Sequence, residues 1–165
     1  MRKVAVVMGS ASDLPLAKDA LKTLAAFDIP VVARVLSAHR TPDEAAAFAK
    51  SAEAEGYGAI IAFAGKAAHL AGAMAAHSLL PVIGVPVSGK DLGGLDALLS
   101  TAQMPKGVPV ATVAIDGAAN AALLAVRILA LSDETVAAKL REYAQKLVEQ
   151  SAEADAAIQK EIEQL

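Results

Sequence analysis

The chain has 165 residues, of which 55% are hydrophobic, 20% charged and 3% aromatic, and its net charge at pH 7 is −3. A single domain of this size buries enough surface to fold without a disulfide bond or a structural metal. The absence of cysteine excludes a disulfide scaffold, a zinc ribbon and a thiol nucleophile. The acidic balance and the scarcity of aromatic rings argue against nucleic acid as the main partner, because phosphate contacts need a basic face and base stacking needs rings.

The first apolar run follows Met1-Arg2-Lys3, covers residues 4–8 and stops at Gly9. The apolar core of a signal peptide needs roughly 7–15 residues, and a membrane-spanning helix needs about 18. This run is shorter than both, and no later uncharged stretch reaches the second length. We therefore expect a cytoplasmic protein with no membrane partner.

Strands and helices are predicted to alternate along the first 131 residues. Continuous β-branched runs favour buried strands, and apolar residues three and four positions apart favour helices. The predicted strands cover residues 4–8, 31–36, 59–64, 81–87 and 108–115. The predicted helices cover residues 14–26, 42–55, 67–78, 95–101 and 118–131, and a capping box of Thr41 and Glu44 begins the second. This alternation predicts an α/β fold with a parallel sheet and right-handed crossovers.

Residues 133–165 differ from the rest because they contain neither Gly nor Pro. Their apolar side chains recur at spacings of three and four, which predicts one long amphipathic helix: Val136, Leu140, Tyr143, Leu147, Ala154, Ile158 and Leu165. We therefore divide the chain into an α/β catalytic domain, residues 1–132, and a helical extension, residues 133–165. Since little sheet is left to cover, we expect the extension to pack on a neighbouring subunit. The alternative is a helix folded back on its own domain.

The loops at residues 9–13, 37–41, 65–69 and 88–94 all follow predicted strands, so they share the edge of the sheet where α/β proteins bind ligands. In the first loop, backbone N–H groups at a helix start and the hydroxyls of Ser10 and Ser12 can bind an anion. Asp13 either caps the helix or accepts hydrogen bonds from sugar hydroxyls. A phosphorylated sugar satisfies the whole loop, which matches neither a Walker motif nor a dinucleotide fingerprint.

The second loop contains His39 and Arg40. The guanidinium of Arg40 offers a planar fork for phosphate or carboxylate, and His39 is suited to exchange a proton near neutral pH. The alternative is structural: His39 bonds to a loop and Arg40 pairs with a surface carboxylate.

In the third loop, Gly65, Ala67 and Ala68 permit close approach of a ligand to the backbone. His69 lies near the start of a helix, where the dipole disfavours the imidazolium, so it can act as a neutral donor. His77 is expected to be structural. The three histidines lack the spacing of a metal site, so we expect no metal.

Seven strings, in order along residues 3–131, resemble the bacterial N5-carboxyaminoimidazole ribonucleotide mutase family of purine biosynthesis. The most informative are Met8-Gly9-Ser10-Ala11-Ser12-Asp13, Ser37-Ala38-His39-Arg40-Thr41-Pro42, Ala67-Ala68-His69-Leu70 and Gln103-Met104-Pro105. The resemblance implies a three-layer α/β/α, flavodoxin-like parallel sheet, assembled as a homo-octamer with active sites between subunits. It also implies a carboxylated aminoimidazole ribonucleotide as substrate, whose carboxylate moves from the exocyclic nitrogen to C4 without a cofactor.

Carried over by position, the resemblance assigns phosphate and ribose to Ser10, Ser12 and Asp13. It makes His39 the general acid/base, with His69 beside it as a second catalytic residue. The remaining substrate-binding residues that it implies are Ser37, Ala38, Arg40, Gly65, Ala67, Ala68 and Leu70. The alanine-rich loop would then hold released CO2 beside C4 in a tight, dry pocket.

The sequence departs from the family pattern at two positions. Lys66 stands where a glycine or neutral residue is typical; we expect it to point to solvent, although its ammonium can also reach a substrate carboxylate. Ala71 stands where many members have proline. Two other functions stay open: direct carboxylation of aminoimidazole ribonucleotide by CO2, and a non-catalytic module that binds a phosphorylated sugar.

Overall fold

Five parallel strands form the centre of the structure, a computed structural model that describes all residues from 1 to 165. The strands are β1 (Lys3–Met8), β2 (Val31–Val35), β3 (Tyr57–Gly65), β4 (Val82–Val87) and β5 (Ala111–Thr112). Their order across the sheet is β2-β1-β3-β4-β5, which is the flavodoxin-like order. The predicted fold class is confirmed.

Six α-helices complete the layers: α1 (Leu14–Ala26), α2 (Pro42–Ser51), α3 (Leu70–His77), α4 (Leu95–Ala102), α5 (Ala118–Ala130) and α6 (Glu134–Ile162). None of them combines the length and the apolar composition that a membrane crossing requires. A short 3-10 helix, Ala11–Asp13, precedes α1.

The predicted bounds were wrong most clearly in three elements, and elsewhere they are displaced by at most three residues, as where β3 begins at Tyr57 instead of residue 59. The fifth strand has two residues rather than eight, because Pro109 has no N–H to donate and β5 lies at the sheet edge. Helix α2 ends at Ser51, with turns from there to Gly56. Helix α3 begins at Leu70 rather than at residue 67, because the His69 N–H donates to the Ala67 carbonyl at 2.8 Å in a tight turn, and the first helical bond is the one from the Ala73 N–H to the His69 carbonyl.

Alternate residues of each central strand face opposite layers. Val4 and Val6 belong to the same buried cluster as residues of α1 and α5, whereas Ala5 and Val7 pack with residues of α2 and α3. Burial on both faces explains why these strands read as continuous apolar runs.

The first three turns of α6 pack on the domain from which the helix emerges. The Asp133 carboxylate accepts hydrogen bonds from the N–H groups of Thr135 and Val136, which caps the helix. Val136 is completely buried, and the rings of Tyr143 and Phe27 lie 5.6 Å apart. From residue 144 onward every side chain is exposed. Packing of that second half on another subunit stays a prediction.

Candidate active site

A cavity of about 580 Å³ opens at the carboxyl ends of the strands. The loops after β1, β2, β3 and β4 line it, so the sheet topology brings together clusters that are far apart in sequence. Its lining includes most of the residues that the sequence singled out: Ser10, Ser12, Asp13, Ser37, Ala38, His39, Arg40, Gly65, Ala67, His69 and Leu70.

The loop after β1 is tied together by its own side chains. The Ser10 hydroxyl accepts a hydrogen bond from the Ser12 N–H at 3.3 Å, and the Asp13 carboxylate accepts one from the Ser10 N–H at 3.2 Å. This is the reciprocal pattern of a capping box, and it closes the 3-10 helix rather than α1. Asp13 therefore braces the loop and makes no side-chain bond to the N-terminus of α1.

Asp13 is 8% exposed, so most of its carboxylate surface is withdrawn from water. Burial raises the pKa of Asp13, and this outweighs three opposing effects: hydrogen bonds from the Ser10 N–H and the Ser12 hydroxyl, and the positive charge of Arg40. A carboxylate with few protein donors has lone pairs left for ligand hydroxyls, as the sugar interpretation of Asp13 requires.

Arg40 joins the loops after β1 and β2. Its Nη2 donates to the Gly9 carbonyl at 2.9 Å, and its Nε donates to the Ser37 hydroxyl at 3.4 Å. These bonds fix the guanidinium beside the loop that contains Ser10. The alternative of pairing with a surface carboxylate does not describe the structure, because no ion pair includes Arg40.

The predicted capping box at the start of α2 was wrong. Thr41 is the N-cap residue, but its side chain makes no cap bond. Instead its hydroxyl donates to the Ser37 carbonyl at 3.2 Å and accepts from the Ser37 N–H at 3.0 Å. Thr41 therefore holds the loop around His39 in shape instead of satisfying the helix end.

His39 and His69, 30 positions apart in sequence, meet across the cavity. Nε2 of His39 lies 2.6 Å from Nδ1 of His69, and the rings are nearly perpendicular, at 72°. A bond between two ring nitrogens needs one N–H and one lone pair, so the pair shares a single proton at this contact. The expected proximity of the two residues is present, and it includes a direct hydrogen bond.

Other candidates lie elsewhere. The Nδ1 of His77 is 2.9 Å from the carbonyl of Ala73, one turn back in α3, and the residue lies outside the cavity. No three His, Asp or Glu side chains are grouped as metal ligands would be. Ala68, predicted to bind substrate, does not line the cavity: it is 1% exposed and packs beneath the loop, while its neighbour Ala67 is exposed.

The end of β4 and the loop after it supply lining residues that sequence reasoning did not select: Val87, Ser88 and Gly89. Their only signal was position, since the loop follows a strand of the same sheet. The Ser88 N–H donates to the Asp116 carboxylate at 2.8 Å, which ties this loop to the segment after β5.

A family model described as AIR carboxylase matches residues 3–150. The chain belongs to the AIR carboxylase family. It is 53% identical over 143 residues to the N5-carboxyaminoimidazole ribonucleotide mutase of Pyrococcus abyssi, covering 87% of this chain and 82% of that one. It is 55% identical over 152 residues to the mutase of the same name from Brucella melitensis, covering 91% and 94%.

This AIR carboxylase family member also resembles solved structures. A crystal structure of Treponema denticola PurE superposes with a TM-score of 0.85 at 30% sequence identity, covering 93% of this chain and 96% of that one. The match extends the shared fold over nearly the whole chain, so the predicted family and fold are both confirmed.

Proposed function

We propose that the chain is a mutase of purine biosynthesis that converts N5-carboxyaminoimidazole ribonucleotide into 4-carboxy-5-aminoimidazole ribonucleotide. The names of its relatives from Pyrococcus abyssi and Brucella melitensis support this activity. The observation that carries the proposal is the His39–His69 hydrogen bond, inside a cavity whose other wall is the anion-binding loop of Ser10 and Ser12.

The cavity suits both polar ends of such a substrate. The hydroxyls of Ser10 and Ser12, together with the guanidinium of Arg40, supply donors for a phosphate. Asp13 would repel a phosphate, but its carboxylate accepts hydrogen bonds from ribose hydroxyls. Ser37 contributes by holding the Arg40 guanidinium in place. With the phosphate bound by Ser10, Ser12 and Arg40, the aminoimidazole at the other end of the substrate points toward the two histidines.

The reaction needs one group that gives and then takes a proton. Protonation of the carbamate nitrogen breaks its bond to the carboxylate, which leaves as CO2 while the nitrogen keeps the bonding pair. The electron-rich C4 then forms a new bond to the same CO2. Loss of the hydrogen from C4 restores aromaticity. His39 delivers the first proton and accepts the last, and His69 holds the His39 ring in position by the 2.6 Å hydrogen bond.

Released CO2 is small and neutral, so it must be kept beside C4 for the second bond to form. Gly65 and Ala67 line the cavity next to His69, and neither has a side chain larger than a methyl group. A Cβ on Gly65 would lie in ordinary van der Waals contact with the Val87 carbonyl oxygen, at 3.4 Å, so a single methyl group would fill the gap to this wall. Proximity in a confined, dry space then replaces a second binding step.

Assembly and location belong to the same proposal. The outer half of α6 exposes Leu147, Ile158 and Leu165, with nothing in its own chain to cover them. A homo-octamer that buries these side chains and forms its active sites between subunits fits this surface. The cytoplasm is proposed as its location from the function, since the substrate belongs to purine biosynthesis. Light scattering of the purified protein would test the octamer, and a monomer at micromolar concentration would contradict it.

The decisive assay supplies each substrate separately. Purified protein should convert N5-carboxyaminoimidazole ribonucleotide without added bicarbonate, and His39→Asn should lower kcat by about 10²–10⁴-fold. The family description AIR carboxylase favours a second candidate, direct carboxylation, which predicts turnover of aminoimidazole ribonucleotide only with bicarbonate present. A non-catalytic module would bind either ribonucleotide and turn over neither.

A further inference from the structure

Lys66 is a cationic side chain in the lining of the cavity, on a different loop from Arg40. It follows the last residue of β3 and belongs to the cavity lining. Its Nζ lies 2.9 Å from Oδ2 of Asp91, which is in the loop after β4. The ammonium therefore already binds a carboxylate, one that the chain itself supplies.

The backbone at Lys66 is unusual. Its φ of 55° is in the left-handed region, which glycine adopts more easily than a residue with a Cβ. Outliers of this kind concentrate at ligand sites, where the surrounding structure holds them in place. The side chain must therefore be explained by what it contacts, not by a backbone preference for lysine.

The contact between Lys66 and Asp91 is exchangeable. Their side chains are 79% and 71% exposed, and ion pairs in water contribute little to stability because solvent competes for both charges. The hydrogen bond to Asp91 raises the pKa of Lys66, and the ordinary pKa of a lysine already keeps the ammonium charged at neutral pH with or without Asp91. A ligand carboxylate can thus take the place of Asp91 without any change in the charge of Lys66.

The two permanent cations of the cavity lining are held by different loops. Arg40 is bonded to Gly9 and Ser37, beside the Ser10 loop, whereas Lys66 and Asp91 belong to the loops after β3 and β4. The proposed substrate also has two anionic groups, a phosphate and a carboxylate. With the phosphate on the Ser10 and Arg40 side, the carboxylate is the group left for Lys66.

We infer that Lys66 recognises the carboxylate of the substrate and product, and that Asp91 occupies the same ammonium as an internal competitor when the cavity is empty. This inference rests on the proposed function. It makes Lys66 a specificity residue that distinguishes carboxylated from non-carboxylated aminoimidazole ribonucleotides. Lys66 should therefore raise the affinity for the carboxylated ribonucleotides, and Asp91 should lower it.

The test is calorimetric binding of 4-carboxy-5-aminoimidazole ribonucleotide and of aminoimidazole ribonucleotide to the intact protein. Lys66→Met keeps the unbranched apolar stem and a Cβ at the left-handed backbone position but removes the charged terminal atom. The substitution should lower the affinity for the carboxylated ribonucleotide about five- to tenfold, as expected for loss of one exposed charge contact, and leave the affinity for aminoimidazole ribonucleotide unchanged. Lys66→Arg should restore the preference, and Asp91→Asn should tighten the carboxylated ligand about two- to fivefold.

Lys106→Met is the matched control, because Lys106 is an exposed lysine outside the cavity. If Lys66→Met weakens both ligands equally, or if Asp91→Asn weakens the carboxylated ligand, the ion pair only ties two loops together and the inference fails. A wild-type protein that binds neither ribonucleotide would overturn the proposed function instead.

Discussion

Replacement of His69 tests whether its bond to His39 serves catalysis. The contacting atom of His69 is Nδ1, which is attached directly to Cγ. The amide of asparagine places its terminal atoms at the same position, whereas the amide of glutamine extends one bond further, to the position of Nε2. His69→Asn can therefore keep a hydrogen bond to His39, and His69→Leu cannot.

The size of the effect follows from the state of His39 during turnover. A hydrogen bond with one charged partner contributes about 1.5–3 kcal/mol, and His39 carries a positive charge in part of the proposed cycle. Loss of that bond in His69→Leu should lower kcat by about 10–150-fold. His69→Asn should stay within about tenfold of the wild type, because the amide oxygen of asparagine can still accept a hydrogen bond from the charged His39.

The assay is the initial rate of interconversion of the two carboxylated ribonucleotides, followed by absorbance over a range of substrate concentrations. Because His69 is assigned to positioning, the effect should fall on kcat more than on KM. Equal losses in the Asn and Leu variants would refute the positioning role and point to a proton that His69 itself transfers. Full activity in His69→Leu would refute any role of the pair.

Three further predictions concern Asp13, Gly84 and Val136. Folding raises the pKa of Asp13, so the free energy of unfolding of the wild type should fall as pH rises from the usual pKa of an aspartate to the raised one. Asp13→Asn should lack that fall in urea titrations at acid and neutral pH, and an equal pH dependence in the two proteins would contradict the prediction. A Cβ on Gly84 would lie 2.3 Å from Cγ2 of Thr101, so Gly84→Ala should cost about 1–3 kcal/mol and lower Tm by about 3–10 °C, measured by calorimetry. Val136→Ala should cost about 2 kcal/mol in urea unfolding, whereas the exposed control Val148→Ala should change stability by less than about 0.5 kcal/mol; similar losses would show that α6 is not anchored at Val136.

Loop identity was predictable because strand ends are visible in the sequence. Buried parallel strands are continuous apolar runs, and each run ends where Gly, Ser or a charged residue appears. Since parallel strands end at one edge, the Ser10, His39 and His69 loops were placed together without coordinates. Chain order alone did not specify which atoms meet, and the contact between Nε2 of His39 and Nδ1 of His69 depends on the positions of both loops.

Local pattern failed where tertiary contacts compete with it. Thr41 matches a capping box in sequence, yet its hydroxyl bonds to the N–H and the carbonyl of Ser37 instead of to the helix end. Ala67 and Ala68 are identical in type, and only the path of the chain after Lys66 turns one toward the cavity and the other into the core.

The sequence by itself determined the alternation of strands and helices, the family, and the residue types gathered at the mouth of the sheet, because these depend on side-chain chemistry and short-range periodicity. The tertiary structure alone decided which imidazole nitrogens share a proton, that Asp13 braces its own loop, and that Lys66 binds Asp91. Those contacts join segments that are distant along the chain, or compete with equally favourable local bonds, so only the packed sheet selects among them.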